Sequence, residues 1–403
     1  MFDRIRGRIS EVAAAAPRTY WYVWWGTLVN RLGGFVIPLL TIYLITVRHL
    51  SVSEAGGIIS VFGAGSIAAS QVGGYLADHL GRKITLVISL FGGALALAGL
   101  GFARELSSIV IMVGAVGFVG ELYRPAVFAI VADVVPPGQR MQAYALLHWV
   151  INIGFAVAAT VGGLLADVDF ALLFVLDAVT MAIYGVIVLV AVPETRPAHP
   201  SSGPVAAVRR SRPWFTDRVF VVFVVITLGI GLLPVQATAP LAAHMTWQGF
   251  SPSAFGAVMA VNGVVIILVQ PSLSAWCVRR DPTRVLIAAA LLFGGGLALH
   301  GAASSLALHA VAVALWTFGE ILESPMRSSI IAHLAPADAR GRYQGAVVMT
   351  FGAAQLIGPK AGTWLWQHVG PSALWLSCLG LSAVVAAALA ISGPARRRRM
   401  ALG

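Results

Sequence analysis

Charged residues are scarce in this sequence, and their scarcity excludes a water-soluble protein. Of the 403 residues, 11% are charged and 58% are hydrophobic, whereas about a quarter of the residues in an ordinary soluble domain are charged. Too few polar side chains are present to cover the surface of a soluble globule of this length. The apolar side chains must therefore face lipid, and the sequence predicts an integral membrane protein.

Several motifs of enzymes and metal sites are also missing. The two cysteines, Cys277 and Cys378, cannot form a disulfide framework and lack the spacing of metal ligands. The sequence contains no Gly-x4-Gly-Lys-Ser/Thr phosphate loop, no His-Glu-x-x-His motif and no Gly-x-Ser-x-Gly elbow. The nine histidines are scattered along the chain rather than clustered. We therefore expect neither an enzyme nor a protein with a bound metal or cofactor.

Runs of apolar residues divide the chain into twelve predicted transmembrane helices. A helix needs about 20 apolar residues to cross the hydrocarbon core of a bilayer. The runs cover residues 20–47, 52–77, 84–103, 107–135, 143–166, 170–192, 219–244, 253–278, 285–303, 306–334, 346–367 and 372–391. We predict an all-α membrane protein made of an N-terminal cytoplasmic segment (1–18), a six-helix bundle (19–192), a cytoplasmic linker (193–217), a second six-helix bundle (218–392) and a basic cytoplasmic tail (393–403).

The positive charge lies almost entirely on one side of the predicted membrane. The net charge is +11, and 21 of the 27 Lys and Arg residues fall on the side of the two termini, two on the opposite side and four within predicted spans. Because basic residues favour the cytoplasmic side, both termini are predicted to be cytoplasmic. The basic clusters adjoin spans and are not interleaved with exposed aromatic residues, so anionic membrane lipid rather than nucleic acid is their expected partner.

The two predicted bundles share a weak internal repeat with an offset of 200 residues. The matching pairs are Pro125 and Pro325, Arg140 and Arg340, and Gly162 and Gly362. Duplicated halves of this kind place a substrate site between them near the midplane of the membrane, and access to it alternates as the halves rock.

The turn between the second and third predicted spans carries the motif of a known family. Residues 74–83 read Gly-Tyr-Leu-Ala-Asp-His-Leu-Gly-Arg-Lys. They match the signature Gly-x-Leu-Ala-Asp-Arg-x-Gly-Arg-Lys of the major facilitator superfamily at all but one defined position, where His79 replaces Arg. Together with the span count and the central linker, the resemblance covers almost the whole chain. It implies a secondary transporter built from two pseudo-symmetric six-helix bundles.

Within that superfamily the chain resembles the twelve-helix drug:proton antiporters. The fifth helix of those proteins carries a pattern of glycines around a Gly-Pro pair. The fifth predicted span keeps part of the pattern, and the eleventh contains the Gly-Pro pair. The matching residues are Gly154, Gly162, Gly163, Gly358, Pro359 and Gly362. The resemblance implies that these residues pack the two bundles against each other.

The signature also implies a conformational latch at the cytoplasmic ends of the helices. Asp78 is expected at a helix end, where the positive N-terminus of the eleventh span can hold its carboxylate. Such a cluster holds the two halves in one state and must break in the other. The predicted latch residues are Gly74, Asp78, Gly81, Arg82, Lys83, Asp133 and Arg140.

Eight ionisable residues lie inside predicted spans. A charge at the centre of the membrane costs about 2.5–3.5 kcal/mol, so these groups must pair, face the interior of the protein or be protonated. They are Glu121, Asp177, Glu320, Glu323, Arg31, Arg124, Arg327 and Lys360. An alternative interpretation is that most of them form permanent ion pairs that fix the packing of the helices, with Asp177 and Lys360 as the strongest cases.

Glu320 and Glu323 are the first candidates for proton carriers. They lie one helical turn apart, with Arg327 as the one obvious cation on the same helix, and the proximity of like charges and desolvation both favour the protonated form of a carboxylate. Glu121 is the third candidate, although Arg124 beside it opposes protonation.

The predicted residues of the substrate cavity are Asn30, Arg31, Arg124, Arg327, Asn152, Asn262 and Gln355. Arg31 could pair with Glu121 or bind an anionic group.

We therefore predict a monomeric, multi-pass secondary transporter of the cytoplasmic membrane, which exports amphipathic small molecules by alternating access in exchange for protons. Two alternatives stay open. One is proton symport for the uptake of a sugar, a peptide or an anionic metabolite, and the other is a carrier that handles lipid. A largely apolar cavity with one or two acids favours cationic drugs, whereas a polar cavity around Arg31 favours anions.

Overall fold

The computed structural model describes residues 16–136, 139–196, 213–277, 280–336 and 339–401, and no β-strand occurs among them. The α-helices are α1 Arg18–Leu32, α2 Val36–Thr46, α3 Val52–His79, α4 Arg82–Phe102, α5 Leu106–Val119, α6 Tyr123–Val134, α7 Arg140–Val168, α8 Phe170–Ala191, α9 Arg218–Val235, α10 Ala239–Trp247, α11 Pro252–Cys277, α12 Pro282–Ala302, α13 Leu306–Leu334, α14 Arg340–His368 and α15 Pro371–Ala401. The predicted all-α class is confirmed. Most of the predicted N-terminal segment and of the predicted linker lies outside the described residues.

Within the described ranges, eleven helical stretches are long and apolar enough to cross a membrane. The remaining predicted span, the eleventh, corresponds to α14, which has the length for a crossing and carries several polar side chains, including Gln355 and Lys360. Because these polar groups interrupt its apolar surface, α14 requires protein neighbours rather than lipid along part of its length.

The contacts divide the chain into two compact units with the same internal packing. Unit 1 comprises Met1–Tyr43 and Val61–Pro200, and unit 2 comprises Leu44–Ser60 and Ser201–Gly403. In unit 1, α4 packs against α8 and α1 packs against α7; in unit 2, α12 packs against α15 and α9 packs against α14. These are the third and sixth, and the first and fifth, spans of each half. The weak sequence repeat therefore corresponds to a repeated arrangement of helices.

Three of the predicted spans are interrupted by a short break. The first span is divided between α1 and α2 at residues 33–35, the fourth between α5 and α6 at 120–122, and the seventh between α9 and α10 at 236–238. Hydropathy predicts continuous helices, which is wrong here because each break adjoins a residue that weakens a helix, namely Gly33, Gly120 or Pro234. The first and seventh spans are broken at corresponding places in the two units.

The last helix continues beyond the predicted end of its span, and it carries the arginines of the predicted tail. Helix α15 ends at Ala401. Arg396 is fully buried on it, donates to the Leu389 carbonyl at 2.8 Å and lies 5.6 Å from the centre of the Phe223 ring. The apolar stem and the hydrogen bonds from the two terminal guanidinium nitrogens explain how an arginine can occupy the core of unit 2.

Two aspartates at the starts of other helices bind the end of α15. Asp217, which precedes α9, forms an ion pair with Arg399 and accepts a hydrogen bond from the Tyr343 hydroxyl at 2.9 Å. Asp281, which precedes α12, pairs with Arg397 at 3.4 Å. Burial of Asp217 opposes its charged form, but the hydrogen bonds from Arg399, Tyr343 and the Phe220 amide outweigh burial and lower the pKa of Asp217. These contacts fasten the end of α15 to unit 2.

Replacing Asp217 should lower the stability of unit 2 in a pH-dependent way. A lowered pKa in the folded protein stabilises it at pH values above the unfolded pKa of about 3.9, and this stabilisation disappears as the pH falls through the folded pKa. We expect Asp217→Asn to reduce the free energy of unfolding by about 1 kcal/mol near neutral pH and by less below about pH 4. Thermal unfolding of the purified protein at several pH values measures this difference.

The matched pair Arg399→Ala and Arg398→Ala tests the same contact from the other side. Arg399 binds Asp217, whereas the neighbouring Arg398 is exposed. Equal melting temperatures for the two arginine variants would show that the ion pair does not contribute.

Candidate functional site

The two predicted proton carriers on α13 have different partners, and Glu323 belongs to an ion pair. Its side chain is buried, and Arg327 Nε donates to Glu323 Oε1 at 2.6 Å. The Arg327 guanidinium also lies 4.2 Å from the centre of the Phe351 ring. The charge of Glu323 is therefore balanced on its own helix, one turn away.

Glu320 contacts a neutral partner instead. Asn262 on α11 donates from its amide nitrogen to Glu320 Oε2 at 2.8 Å and to the Thr317 hydroxyl oxygen at 3.0 Å. None of the ion pairs recorded for the described ranges includes Glu320. An amide donor can bind either a carboxylate or a neutral carboxylic acid, so this partner is compatible with both protonation states of Glu320.

The third acid, Glu121, forms an ion pair with Arg124, whose side chain is 53% exposed. Arg31 does not pair with Glu121. It donates to the Tyr123 hydroxyl, and its guanidinium carbon lies 5.7 Å from the centre of that ring. Arg31 Nε is buried and has no hydrogen-bond partner among the described residues. The guanidinium therefore keeps an unused donor.

Asp177 on α8 accepts a hydrogen bond at the break in the first span. Its side chain is 6% exposed, and its Oδ2 accepts a hydrogen bond at 3.2 Å from the amide of Val36, the first residue of α2. Thr180, one turn further along α8, packs so close to the break that a Cβ on Gly33 would lie 1.9 Å from the Thr180 hydroxyl oxygen. Asp177 thus supplies the acceptor that the first turn of α2 lacks.

Lys360 also has neutral partners. Its Nζ donates to the carbonyl and hydroxyl oxygens of Ser53 at 2.8 and 2.9 Å. The interpretation of Asp177 and Lys360 as members of permanent ion pairs is therefore wrong, because a helix N-terminus and a serine satisfy them. Of the eight residues, the ones that form ion pairs in the described part of the chain are Glu121 with Arg124 and Glu323 with Arg327.

The predicted cavity amides differ in their surroundings. Asn262 contacts Glu320, as described above. Asn152 donates to the His148 carbonyl of its own helix at 3.0 Å, and Gln355 is exposed on α14. The buried amide nitrogen of Asn30 has no partner in the part of the chain that the structure describes.

The predicted packing glycines of unit 1 allow close approach to the first span. A Cβ on Gly154 would lie 2.4 Å from Arg31 Cβ, and one on Gly162 would lie 3.0 Å from the Phe35 ring. The recorded contacts of both glycines are within unit 1, and a role between bundles stays a prediction.

The glycines of α14 allow close approach to the seventh span. A Cβ on Gly362 would lie 1.9 Å from Gln236 Oε1, and the Gln236 amide nitrogen donates to the Gly358 carbonyl at 3.3 Å. In each unit, small residues of one helix therefore face the break in another.

The predicted latch residues of unit 1 are organised around Arg82. Its Nε donates to Asp133 Oδ2 at 3.0 Å, and its Nη1 donates to the Ala77 carbonyl at 3.0 Å and lies 3.5 Å from Asp78 Oδ1. The Asp78 side chain is 69% exposed. Arg140 donates to the Val135 carbonyl at 3.1 Å rather than to an acid. Asp133 is therefore the better-bound partner of Arg82.

The glycines of the motif have separate roles. Gly73, not Gly74, makes the close approach, since a Cβ there would lie 2.7 Å from the Leu122 carbonyl, whereas a Cβ on Gly74 would meet nothing within 4 Å. Gly81 has φ +109°, a conformation that favours glycine.

Glu194 completes this cluster and was missed from the sequence. Its carboxylate accepts hydrogen bonds from the amides of Arg82 at 2.9 Å and Lys83 at 3.2 Å, the first two residues of α4. A Cβ on Gly81 would lie 2.3 Å from Glu194 Oε2. An acid directly after the sixth span was the available signal, because its side chain can cap a helix that starts on the same side of the bundle.

A second group missed from the sequence lies in unit 2. His244, His300 and His309 are buried together, with the Nδ1 atoms of His300 and His309 2.8 Å apart. The histidines are scattered along the sequence, and the fold brings these three together. The signal that could have found two of them is the short turn between α12 and α13, since His300 and His309 lie at similar distances before and after it.

Comparison with known proteins gives a consistent family assignment. The sequence model of the Major Facilitator Superfamily matches residues 23–319 and, in a second match, 219–401. The chain is 26% identical over 363 residues to a Na(+), Li(+), K(+)/H(+) antiporter of Planococcus maritimus, covering 80% of this chain and 84% of the relative. It is 24% identical over 365 residues to the multidrug resistance protein MdtH of Salmonella arizonae, covering 89% of each.

Among solved structures, the chain resembles a POT family transporter in complex with a thioalcohol-conjugated peptide. The TM-score is 0.81 with 15% sequence identity, and the match covers 94% of this chain and 97% of that one. At this identity the likeness concerns the fold alone.

Two substitutions of Asp177 should separate its hydrogen bond from its charge. Asp177→Ala removes the acceptor at the start of α2, and we expect it to lower the free energy of unfolding by about 1–2 kcal/mol. Asp177→Asn keeps an oxygen that can accept the Val36 hydrogen bond and should cost less than about 0.5 kcal/mol. Thermal unfolding of the two variants gives the comparison, and equal losses would show that the charge matters rather than the cap.

Glu194→Ala should destabilise unit 1, because it leaves the first amides of α4 without an acceptor. The expected loss is about 1–2 kcal/mol in the free energy of unfolding. Glu105→Ala is the matched control, since Glu105 stands before α5 in the same unit and its side chain makes no capping hydrogen bond to that helix. If the two variants unfold at the same temperature, the cap formed by Glu194 has no energetic role.

Proposed function

Because this chain belongs to the Major Facilitator Superfamily of membrane transporters, we propose that it exports amphipathic small molecules in exchange for protons, with Glu320 as the proton carrier. The observation that carries the proposal is the pairing of Glu320 with the Asn262 amide at 2.8 Å and not with a cation.

The partners of the acids distinguish Glu320 from Glu323 and Glu121. Glu323 and Glu121 each face an arginine on their own stretch of chain. Protonating either of them would leave that arginine without its counter-ion inside the membrane, which costs free energy. Protonating Glu320 removes a charge and leaves the Asn262 hydrogen bond available, so a proton can bind and leave without breaking the local contact.

The same carboxylate is suited to a substrate that carries a positive charge. When Glu320 is deprotonated, a cationic group on an amphipathic molecule can balance it, and a proton can later take the place of that group. Competition of this kind couples the two fluxes in opposite directions, because only one of the two partners is bound at a time. The names of the antiporter and multidrug resistance relatives support exchange and export.

The bacterial relatives also support a place in the inner membrane. In the proposed topology both termini are cytoplasmic, as the positive-inside rule indicates. The two six-helix bundles then alternate access to a substrate site, with the Arg82 cluster on the cytoplasmic side.

Symport of an anionic metabolite is the second candidate function. Its support is Arg31, whose buried Nε has no partner among the described residues and could donate to an anionic substrate. An anion would be attracted to Arg31 and repelled by deprotonated Glu320, so the charge of the transported molecule separates the two functions.

Glu320→Gln should abolish transport that a pH gradient drives and leave substrate exchange measurable. The amide keeps the size of the side chain and removes the group that takes up a proton. Proteoliposomes loaded with a fluorescent lipophilic cation such as ethidium give both rates. Glu105→Gln, on the exposed turn before α5, is the control carboxylate and should retain the wild-type rates.

Undiminished coupling in the Glu320→Gln variant would contradict the role of Glu320. The direction is tested separately with oriented proteoliposomes and wild-type protein. Accumulation of the cation on the cytoplasmic side in response to an acidic exterior would contradict export, and pH-driven movement of an anion but not of ethidium would favour the second candidate.

A further inference from the structure

Three histidines of unit 2 form a buried cluster that the proposed transport cycle does not use. His300 and His309 are fully buried and His244 is 2% exposed. The cluster lies where α10 and α12 end and α13 begins. It therefore joins three helices at one end of the unit.

The first part of the cluster fixes the tautomer of His244. The Trp366 indole nitrogen lies 3.3 Å from His244 Nδ1, and His244 Nε2 lies 3.2 Å from the His300 carbonyl oxygen. An indole N–H can only donate and a carbonyl oxygen can only accept. His244 must therefore accept at Nδ1 and donate from Nε2, which is the neutral form with one ring proton.

The second part fixes the other two rings. The Gln248 amide nitrogen donates to the Ala303 carbonyl at 2.7 Å, which turns Gln248 Oε1 towards His309 Nε2, 2.8 Å away. His309 Nε2 must donate to this oxygen, so neutral His309 accepts at Nδ1. The 2.8 Å contact between the two Nδ1 atoms then requires His300 to donate from Nδ1.

An additional proton has no suitable position in this network. On His244 Nδ1 it would face the Trp366 N–H, and on His309 Nδ1 it would face the His300 N–H. On His300 Nε2 it would create a buried donor without an acceptor, because that atom is buried and has no partner among the described residues. Each of these positions replaces a hydrogen bond with a repulsive contact or leaves a new donor unsatisfied.

The surroundings of the cluster offer no compensating charge. The ring contacts recorded for the three imidazoles are with one another and with Trp247, Phe250 and Trp375. Across the described ranges, the groups that act electrostatically on His300 and His309 are histidines of this cluster. A positive charge placed here would therefore be stabilised only if the cluster opened towards water or an acid.

We propose that this histidine cluster is a proton-binding site, and that binding of a proton separates the end of α10 from α12 and α13. The site is distinct from Glu320, and its occupation changes the structure of unit 2 rather than balancing a substrate. With the topology proposed above, it lies on the external side of the membrane and responds to external acid. The proposal does not depend on the direction of transport or on the substrate.

Hydrogen–deuterium exchange of the full-length protein in lipid nanodiscs tests the site without a substrate. Exchange is measured near pH 7.5 and near pH 5 and is corrected for the intrinsic effect of pH. This range spans the ordinary titration of histidine at about 6.5, which applies to the rings once the cluster has opened to water. We expect the protection of amides in α10 to fall at least about tenfold on acidification, the change that one pH unit of linked protonation produces. Helix α4 of unit 1 is the internal reference and should keep its protection.

Two histidine variants identify the source of the change. His244→Gln combined with His309→Gln keeps a donor and an acceptor at each position but cannot take up a proton there, so the loss of protection on acidification should disappear. His368→Gln is the matched control, because His368 is exposed on α14 and contacts the Trp364 carbonyl of its own helix. If the double variant does not fold, the comparison of the wild-type protein at the two pH values decides the proposal by itself.

Two results would overturn the proposal. One is equal protection of α10 in the wild-type protein at both pH values, which needs no variant and would show that the cluster stays neutral and closed. The other is an unchanged response to acid in the folded double variant, which would assign that response to a group other than His244 and His309.

Discussion

The need to satisfy backbone amides and carbonyls inside the membrane is the constraint on which this structure depends. Lipid offers no hydrogen bonds, so an interrupted helix is tolerated only where protein groups replace the missing ones. In unit 1 the Asp177 carboxylate binds the amide of Val36 at the start of α2. In unit 2 Gln236 reaches across to the Gly358 carbonyl. The close approach of Gly33 to Thr180, and of Gly362 to Gln236, makes these contacts possible.

The same constraint decides the surroundings of the charged side chains. A charge within a span must find a counter-ion, a helix end or a polar group, and the described groups use all three. Glu121 and Glu323 bind arginines three or four residues away. Asp177 binds a helix end, and Lys360 binds the oxygens of Ser53. These contacts account for most of the predicted charges through local structure, which is why Glu320, bound by the neutral Asn262 amide, stands out.

The sequence predicts this fold better than it predicts the site. Apolar run lengths give the helices, because the thickness of the bilayer limits each one, and residues 74–83 identify the family. Contacts between residues three or four apart can be inferred from helical spacing. The contact between Asn262 and Glu320 cannot, since it depends on how α11 packs against α13. Glu194 and His244 were missed for the same reason: their partners lie far away in sequence, and hydropathy does not detect a break or a cap.

The partners of a titratable group determine what a proton does when it binds there. The Asn262 amide can donate to Glu320 in either protonation state, so proton exchange at Glu320 can leave the packing of α11 and α13 unchanged. The Trp366 indole can bind His244 only while Nδ1 is unprotonated, so proton uptake there must move one of the two side chains. Neutral and adaptable partners therefore suit a proton that is carried, whereas partners of fixed polarity suit a proton that alters the structure. In the two proposals unit 2 contains one site of each kind, and this difference in hydrogen-bond chemistry is the reason that the same ion is assigned separate roles at the two sites.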